Sequence, residues 1–482
     1  MRFTSQAAPS PGTYDIAGLR RRIEGIACED NSILVKQKSR DFYWYSPVLK
    51  RQLDHVCADI VVAPKSEADV VRVLAACHAL AIPVTARGSG TGNYGQAMPL
   101  AGGVVMDLSG CNHVKEIGRG RVTAEPGAVL AAIDRQTRAS GQELRLSPST
   151  YNTASIGGFV AGGSGGVGSI RWGGLRDCGN IIRLRIATME AAPRLIELTG
   201  DDLHTASHAY GTNGIITEVE MALGPAYEWI DVILGFDTLR EAAAYANALG
   251  GQDGLLIKEL AVVAAPTPHD TFLRHRKFLP RGKDVVLIMV ADHAIEALIA
   301  YTGRFRHAEV LFRQDRLAEG DLKGLPPLFE LTWNHTTLRA LRVDPAITYL
   351  QALYPFPGQI ELVDRLHRQF GEEVPAHLEF VRFDGKITCF GLPLVRFTSE
   401  ERLDEIVRIH EDMGAPIFNP HRYTLEEGGM KQTDAVQLAF KREADPQGLL
   451  NPGKMIAWEN PSHDYMTGKT YLFPGLAGRI TG

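Results

Sequence analysis

The chain has 482 residues, about three times the roughly 150-residue size of a typical domain, which predicts two or three lobes and excludes one small module. Apolar residues supply 45% and charged residues 22%, a balance that excludes disordered and fibrous classes. Fifty-one Lys and Arg against 56 Asp and Glu leave a formal charge of -5 and no long basic run, so nothing recommends a nucleic-acid partner. In chain order, Ile60 to Ala63 reads as a short strand, and Ser66 caps a helix running to about Ala81, with Asp69 favouring its positive end. Val70, Val73, Leu74 and Leu80 carry the spacing of a buried helical face. Strands follow at Val84 to Ala86 and Val104 to Leu108, then a helix from Val129 to Ala139, then β-branched strands at Ile181 to Ala187 and Ile215 to Ala222. An α/β lobe up to about residue 223 is the expectation.

Beyond it the pattern becomes two successive strand-helix-strand units: Ile230 to Gly235, Leu239 to Leu249 and Leu255 to Val263, then Val285 to Val290, Ala294 to Tyr301 and Val310 to Arg313. That is a split βαβ sandwich. Gly320 to Pro327 makes a poor regular element, and Asp384-Gly385 reads as the turn between strands Leu378 to Arg382 and Ile387 to Pro393. A last helix spans roughly Asp434 to Arg442 and stops before Pro446.

The six cysteines, Cys28, Cys57, Cys77, Cys111, Cys178 and Cys389, lack C-x-x-C spacing and fit neither a disulfide framework nor a zinc ribbon. The start MRFTSQAAPSPG lacks the apolar run of a signal peptide, and no stretch approaches a membrane span. The expectation is a cytoplasmic protein, with peripheral membrane attachment left open. Glycine is concentrated: Gly157 to Gly174 holds nine in eighteen residues, and a second cluster runs from Gly88 to Gly95. Both clusters imply close backbone approach to a ligand.

Gly90-Thr-Gly92-Asn-Tyr-Gly95 matches G-x-G-x-x-G after a strand, yet a nicotinamide-binding unit needs a long helix next, and Gln96 to Gly103 contains Pro99 and two glycines. Gly468-Lys469-Thr470 likewise lacks the glycine that a phosphate loop requires where His463 stands. A nest of backbone amides around a pyrophosphate fits better, with the two glycine clusters as its walls.

The full pattern is Pro83-Val-Thr-Ala-Arg87-Gly-Ser-Gly90-Thr91, then Ser147-Pro-Ser149-Thr150 with Ala154-Ser155-Ile156-Gly157-Gly158, then Gly211-Thr-Asn-Gly214-Ile215-Ile216-Thr217. It resembles the FAD-binding (PCMH-type) domain of the vanillyl-alcohol-oxidase/p-cresol-methylhydroxylase superfamily, in particular the D-lactate dehydrogenase/glycolate-oxidase-like branch. Asp445-Pro-Gln-Gly448-Leu-Leu-Asn451-Pro452-Gly453-Lys454 resembles the family's closing segment. The resemblance implies an α+β fold: a two-lobed FAD-binding domain of the vanillyl-alcohol-oxidase type with an antiparallel-sheet, ferredoxin-like cap. It implies a segment 1–57 packing on the FAD domain, the FAD-binding domain at 58–225, a substrate cap at 226–425 and a returning segment at 426–482. It further implies that Arg87, Gly88, Ser89, Gly90, Thr91 and Gly92 form the pyrophosphate loop. Ser149, Thr150, Ser155 and Gly158 would line the dinucleotide, Arg171 and Asp177 would wrap the flavin, and Gly211, Ile216 and Asn451 would complete the site. The lesser alternative for Asp177 and Arg171 is a surface ion pair. Relatives that attach FAD covalently use a His where Thr91 stands and a Cys near Tyr151, so those two links are absent, while a link from the cap stays open.

The family's divalent-metal tract is broken: His377-Leu-Glu379-Phe and Glu426-Glu427-Gly428-Gly429-Met430-Lys431 occupy the comparable places, so no metal is expected and His377 or Glu427 reads first as a structural polar group, with a variant metal site left open. Trp333-Asn-His335-Thr-Thr337 and Asn419-Pro-His421-Arg422-Tyr423 combine aromatic rings with histidines in the cap. His335 or His421 is the expected base, Arg422 the expected carboxylate clamp, and Tyr423 a further catalytic candidate. The aromatic run Phe42-Tyr43-Trp44-Tyr45 reads as a packing anchor, with Tyr43 or Tyr45 free to face a pocket. The function implied is FAD-dependent oxidation of a small alcohol, a 2-hydroxy acid first, by hydride transfer to flavin N5, with O2, a quinone or a cytochrome as electron acceptor. The alternatives are a flavin-binding subunit without its own chemistry in a larger dehydrogenase complex, and a phenol-oxidising flavoprotein. A homo-oligomer is left open.

Overall fold

The computed structural model describes residues 14–163 and 165–464. The leader reading at residues 1–12 and the Gly468-Lys469-Thr470 tract lie outside the described residues. Among the described residues no helix is long and apolar enough to cross a membrane.

Four sheets organise a mixed α/β fold. The first has four strands, in the order Ala27–Glu29, Ile60–Ala63, Val104–Asp107, Val84–Arg87, with the last three parallel. Its helix Glu67–Ala79 starts where expected, because the Ser66 hydroxyl accepts from the Asp69 amide at 3.2 Å. Val70, Val73 and Leu74 then pack onto Ile60, Val62 and Val104. Strand Val84–Arg87 would be a bare edge, but the closing segment covers it: Val84 N donates to Leu449 O at 2.8 Å and Asn451 N to Val84 O at 2.9 Å.

The second sheet is antiparallel and six-stranded, with the 11-residue strand Ile215–Pro225 at its centre beside Arg121–Ala124 and Ile181–Ala187. The third has seven strands, all antiparallel. Its first four follow the order Glu309–Arg313, Trp229–Phe236, Asp284–Ala291, Ile257–Val263, which is the 4-1-3-2 order of a βαββαβ unit. Strands His377–Phe383, Lys386–Gly391 and Ala352–Tyr354 extend it, and Asp384 and Gly385, at φ 48° and 76°, make the hairpin turn.

Every residue of the central strand Asp284–Ala291 is buried, so both faces of this sheet must be covered. Val286, Ile288 and Val290 meet helices Leu239–Gly250 and Ile295–Thr302 on one face. Val285, Leu287 and Met289 meet Phe272, Leu328, Leu331 and Trp333 on the other, in the same cluster as Val167 from the second glycine run. That second face brings the cap against the glycine loops. The segment Gly320 to Pro327, expected to be irregular, contains a short helix at Glu319–Leu322.

Candidate functional site

Two adjoining cavities run between the glycine loops and the seven-stranded sheet. The first, about 190 Å³, is walled by the loop after strand Val84–Arg87, by Pro148 to Thr150, by Ala154 to Gly158, and by Gly211 to Ile216. Gly88, Ser89, Gly90, Thr91, Gly92, Ser149, Thr150, Ser155, Gly158, Gly211 and Ile216 all line it, and so does His335. No Lys or Arg does. An anionic group here meets backbone amides rather than cationic side chains.

The glycines are required by contact. A Cβ at Gly88 would lie 2.0 Å from the Ser155 hydroxyl, where the two loops touch. One at Gly90, whose φ is +69°, would lie 2.1 Å from the Arg87 guanidinium. At Gly162 a Cβ meets no described atom within 4 Å, and its space is the cleft itself. This glycine-walled trough, with no cationic side chain among its described walls, suits a dinucleotide.

The second cavity, about 200 Å³, shares Asn93, Gln96, Gly162, Gly165, Tyr210, Trp333, Asn334 and Gln351 with the first. Arg176, His204, His208, Arg382 and Lys431 line it, with no Asp or Glu among its described walls. Burial drives the His208 imidazole down to about 3 and also lowers His204, so both rings are neutral at pH 7. Non-glycine residues with positive φ concentrate here: His208 and Tyr210 at 50° and 51°, and Trp333 at 51°. Such conformations cost about 1–3 kcal/mol each and persist where surrounding contacts impose them.

For Trp333 those contacts are visible. Its amide donates to Glu379 Oε1, and Glu379 also meets His377 Nε2 at 2.6 Å, all of it fully buried. Burial pushes Glu379 up to about 8 and Glu259 well above the carboxylate range, so this carboxyl pair holds protons at neutral pH. His377 and Glu379 thus anchor a tryptophan at the junction of the cavities. Glu427 accepts from the Thr424 hydroxyl at 3.0 Å, and Glu426 from the amides of Ile456 and Ala457, both at 3.0 Å. Among the described residues no group of three His, Cys, Asp or Glu could hold a metal ion.

Several expected site residues are elsewhere. Arg87 braces the loop from behind, donating to the carbonyls of Arg40 and Ser89. Asp177 accepts from the Gly174 amide at 2.7 Å to close a turn, while the Arg171 guanidinium lies 5.1 Å from the Trp172 ring centroid; neither lines either cavity. Asn451 is buried behind the cleft, its amide donating to Gln96 O and Tyr210 O at 2.9 and 2.7 Å.

His421 is withdrawn too. Its Nδ1 meets the Ser46 hydroxyl at 2.7 Å and its Nε2 meets Tyr349 O at 3.0 Å, so neither nitrogen is available to a substrate. Arg422 faces Asp404 at 3.8 Å on the surface, and Tyr423 packs beside Leu53 and under Lys454 Nζ. Of the proposed catalytic set only His335 reaches the cleft, with Nδ1 3.1 Å from Glu330 Oε2. In the aromatic run, Phe42 and Tyr45 line the first cavity, while Tyr43 is a packing residue bonded to Asp54 at 2.6 Å. The reading of the residues alone missed Asp41, Tyr94, His204, His208, Tyr210 and Gln351; Tyr94 lay within the first glycine tract, and the others carried no motif.

Residues 58–191 match the family model described as FAD binding domain. Over 436 residues the chain is 27% identical to glycolate oxidase subunit GlcD of Escherichia coli (strain K12), covering 82% of this chain and 83% of that protein. It is 29% identical over 442 residues to the mitochondrial D-lactate dehydrogenase [cytochrome] of Arabidopsis thaliana, covering 83% and 73%. Among solved structures, alkyldihydroxyacetonephosphate synthase shares the fold, with a TM-score of 0.67 at 15% identity over 89% of this chain and 82% of that one. With both glycine clusters of the trough inside the matched segment, these likenesses define the chain as an FAD-linked oxidoreductase, an enzyme whose cofactor is FAD. Within that class it is related to the glycolate oxidase and D-lactate dehydrogenase branch.

Proposed function

We propose that this enzyme oxidises a 2-hydroxy acid. The single observation behind this reading is the pairing of cavities: a glycine-walled trough without cations opens onto a chamber lined by cations and free of carboxylates. We read the four- and six-stranded sheets as the two lobes of a vanillyl-alcohol-oxidase-type FAD domain and the seven-stranded sheet as its cap. In this reading Gly88 to Gly92, Ser149, Thr150, Ser155 and Gly158 hold the dinucleotide through backbone amides and hydroxyls, Gly211 and Ile216 close its far side, and the residues common to both cavities face the ring system.

Bound FAD supplies a two-electron acceptor for the hydride from the alcohol carbon. The chain's tasks are to hold the carboxylate, exclude water and take the hydroxyl proton. Cations in the second cavity serve the first task, and the buried Trp333, Tyr94 and Tyr210 the second. For the third, His335 has the partner a base needs, since the Glu330 carboxylate beside Nδ1 steadies the imidazole as it becomes cationic. Contact with His335 holds the Glu330 carboxyl below its usual range.

Anaerobic mixing of the FAD-loaded protein with a panel of 2-hydroxy acids, simple alcohols and phenols tests the proposal. The hydroxy acids are expected to bleach the flavin and the simple alcohols to leave it oxidised. Bleaching by phenols alone would overturn the substrate class, and no bleaching by any donor would favour a subunit that carries flavin for a partner.

A further inference from the structure

Lys431 is a buried amine whose charged form is favoured by Asp434 and Glu426 without a direct ion pair among the described residues. Its residue is 4% exposed, it lines the second cavity, and it makes no ion pair among the described residues. Nζ donates to the carbonyls of His204 and Ser207 at 2.8 and 2.7 Å, which leaves one of its three donors unused among the described residues. The two carboxylates whose charges reach it have hydrogen bonds of their own, Glu426 with Thr433 and two backbone amides, and Asp434 through Oδ1 as the cap of helix Ala435–Ala444. By contrast Arg176 and Arg382, the other cations of this cavity, face Asp384 and Asp253. Burial lowers Lys431 to about 7, against the ordinary preference of an ammonium for its charge. A buried cation without a direct ion pair is stabilised by an anion that reaches its free donor.

The same cavity has an aromatic wall. Phe383, Phe390 and Phe418 line it in an edge-to-face chain, with ring centroids 5.8 and 5.6 Å apart, beside the buried Val381. Met430, at φ 51°, packs into the cluster with Phe418, so one strained step of the chain places an apolar residue behind this wall and the Lys431 amine at the cavity. A two- or three-carbon hydroxy acid has no group for three phenyl rings; an aryl or bulky apolar tail does.

Resting on the proposed hydroxy-acid oxidation and narrowing it, we propose that the second cavity is a site for arylalkyl carboxylates, with Lys431 as the counter-ion of the carboxylate and the Phe383–Phe390–Phe418 wall receiving the aromatic tail. The substrate class is then an aryl-substituted 2-hydroxy acid.

Binding is read without turnover by titrating the FAD-loaded protein with 3-phenylpropionate, acetate and 3-phenylpropanol, none of them a 2-hydroxy acid, and following flavin absorbance and heat of binding. In the wild type, 3-phenylpropionate is expected to bind well ahead of both acetate, which lacks the ring, and 3-phenylpropanol, which lacks the charge. Lys431→Met is expected to weaken 3-phenylpropionate roughly 30-fold or more while leaving 3-phenylpropanol unchanged. Phe390→Ala is expected to weaken both aryl probes and spare acetate. Equal wild-type affinity for 3-phenylpropionate and 3-phenylpropanol overturns the proposal even if Lys431→Met does not fold. Unchanged 3-phenylpropionate affinity in Lys431→Met, with FAD lost instead, would assign the ammonium to the cofactor and overturn it as well. Because these probes report binding alone, a chamber that binds 3-phenylpropionate but is never reduced by hydroxy acids fails the proposed oxidation and not this site.

Discussion

Gly162 separates loss of cofactor from loss of fold. It ends helix Ile156–Gly162 with an ordinary helical φ, and a Cβ there meets no described atom within 4 Å, because its space is the cleft. Gly162→Leu therefore creates no clash in the empty protein and gains up to about 1 kcal/mol in helix propensity. The added side chain instead occupies both cavities, since Gly162 lines each. Free FAD at 100 times its Kd stabilises the wild type by about 2.7 kcal/mol, and a 100-fold rise in Kd would leave about 0.4 kcal/mol at the same concentration. The expected pattern is an apo variant at least as stable as wild type and a holo variant about 1–2 kcal/mol less stable, measured by denaturant unfolding with and without FAD. Gly157→Ala is the contrasting control: its Cβ would lie 2.5–2.9 Å from Pro126, so the apo form itself should lose stability. Wild-type FAD affinity in Gly162→Leu would refute the placement of the cofactor in this trough. Gly90→Val is a poorer probe, because its Cβ strikes the Arg87 guanidinium that braces the loop.

Three further outcomes follow from side-chain geometry. His335→Gln should slow flavin reduction roughly 10²–10⁴-fold with flavin content unchanged, by stopped flow; wild-type speed would remove it as the base. His421 is depressed to about 3 in the fold, so its contribution is complete above an unfolded pKa of about 6.5 and is lost as pH falls towards 3. His421→Asn should flatten the fall of stability between pH 6 and 4 by about 1.4 kcal/mol per pH unit, read from urea unfolding at several pH values, and an unaltered slope would contradict its buried neutral state. Lys441 donates to Asp445 at 2.6 Å in a buried pair that also bonds Thr212 O. Lys441→Met should cost about 3–5 kcal/mol in denaturant unfolding, largely recovered by adding Asp445→Asn, whereas a cost under about 1 kcal/mol would show that the pair does not hold the closing segment.

The fold was legible where local chemistry decides it. Ser66 marks a helix start because its hydroxyl satisfies an amide three residues on, and Asp384-Gly385 marks a hairpin because that pair tolerates positive φ. The glycine loops were legible for a related reason, since their function is steric and the residue type records it. The catalytic side was not. His421 was attractive by composition, yet its partner is Ser46, 375 residues away, and no spacing encodes that contact. Lys431 stood in a tract read as a broken metal motif, while its actual partners are the carbonyls of His204 and Ser207, which carry no side-chain signature. The second glycine cluster lines the cleft from Gly157 to Gly165 and again at Gly174, whereas Asp177 closes the Gly174 turn and Arg171 meets Trp172, contacts that neither the glycine spacing nor the family resemblance encodes.

The central claim is that the carbon bearing the hydroxyl of a 2-hydroxy acid delivers its hydrogen to FAD in this cleft. The most direct measurement is anaerobic stopped-flow reduction of the FAD-loaded protein by 2-hydroxy-3-phenylpropionate, with either hydrogen or deuterium at C2. The account predicts saturable bleaching of the flavin that is slower for the deuterated acid; flavin that stays oxidised with both, or is reduced at the same rate by both under conditions where the chemical step limits, would contradict it.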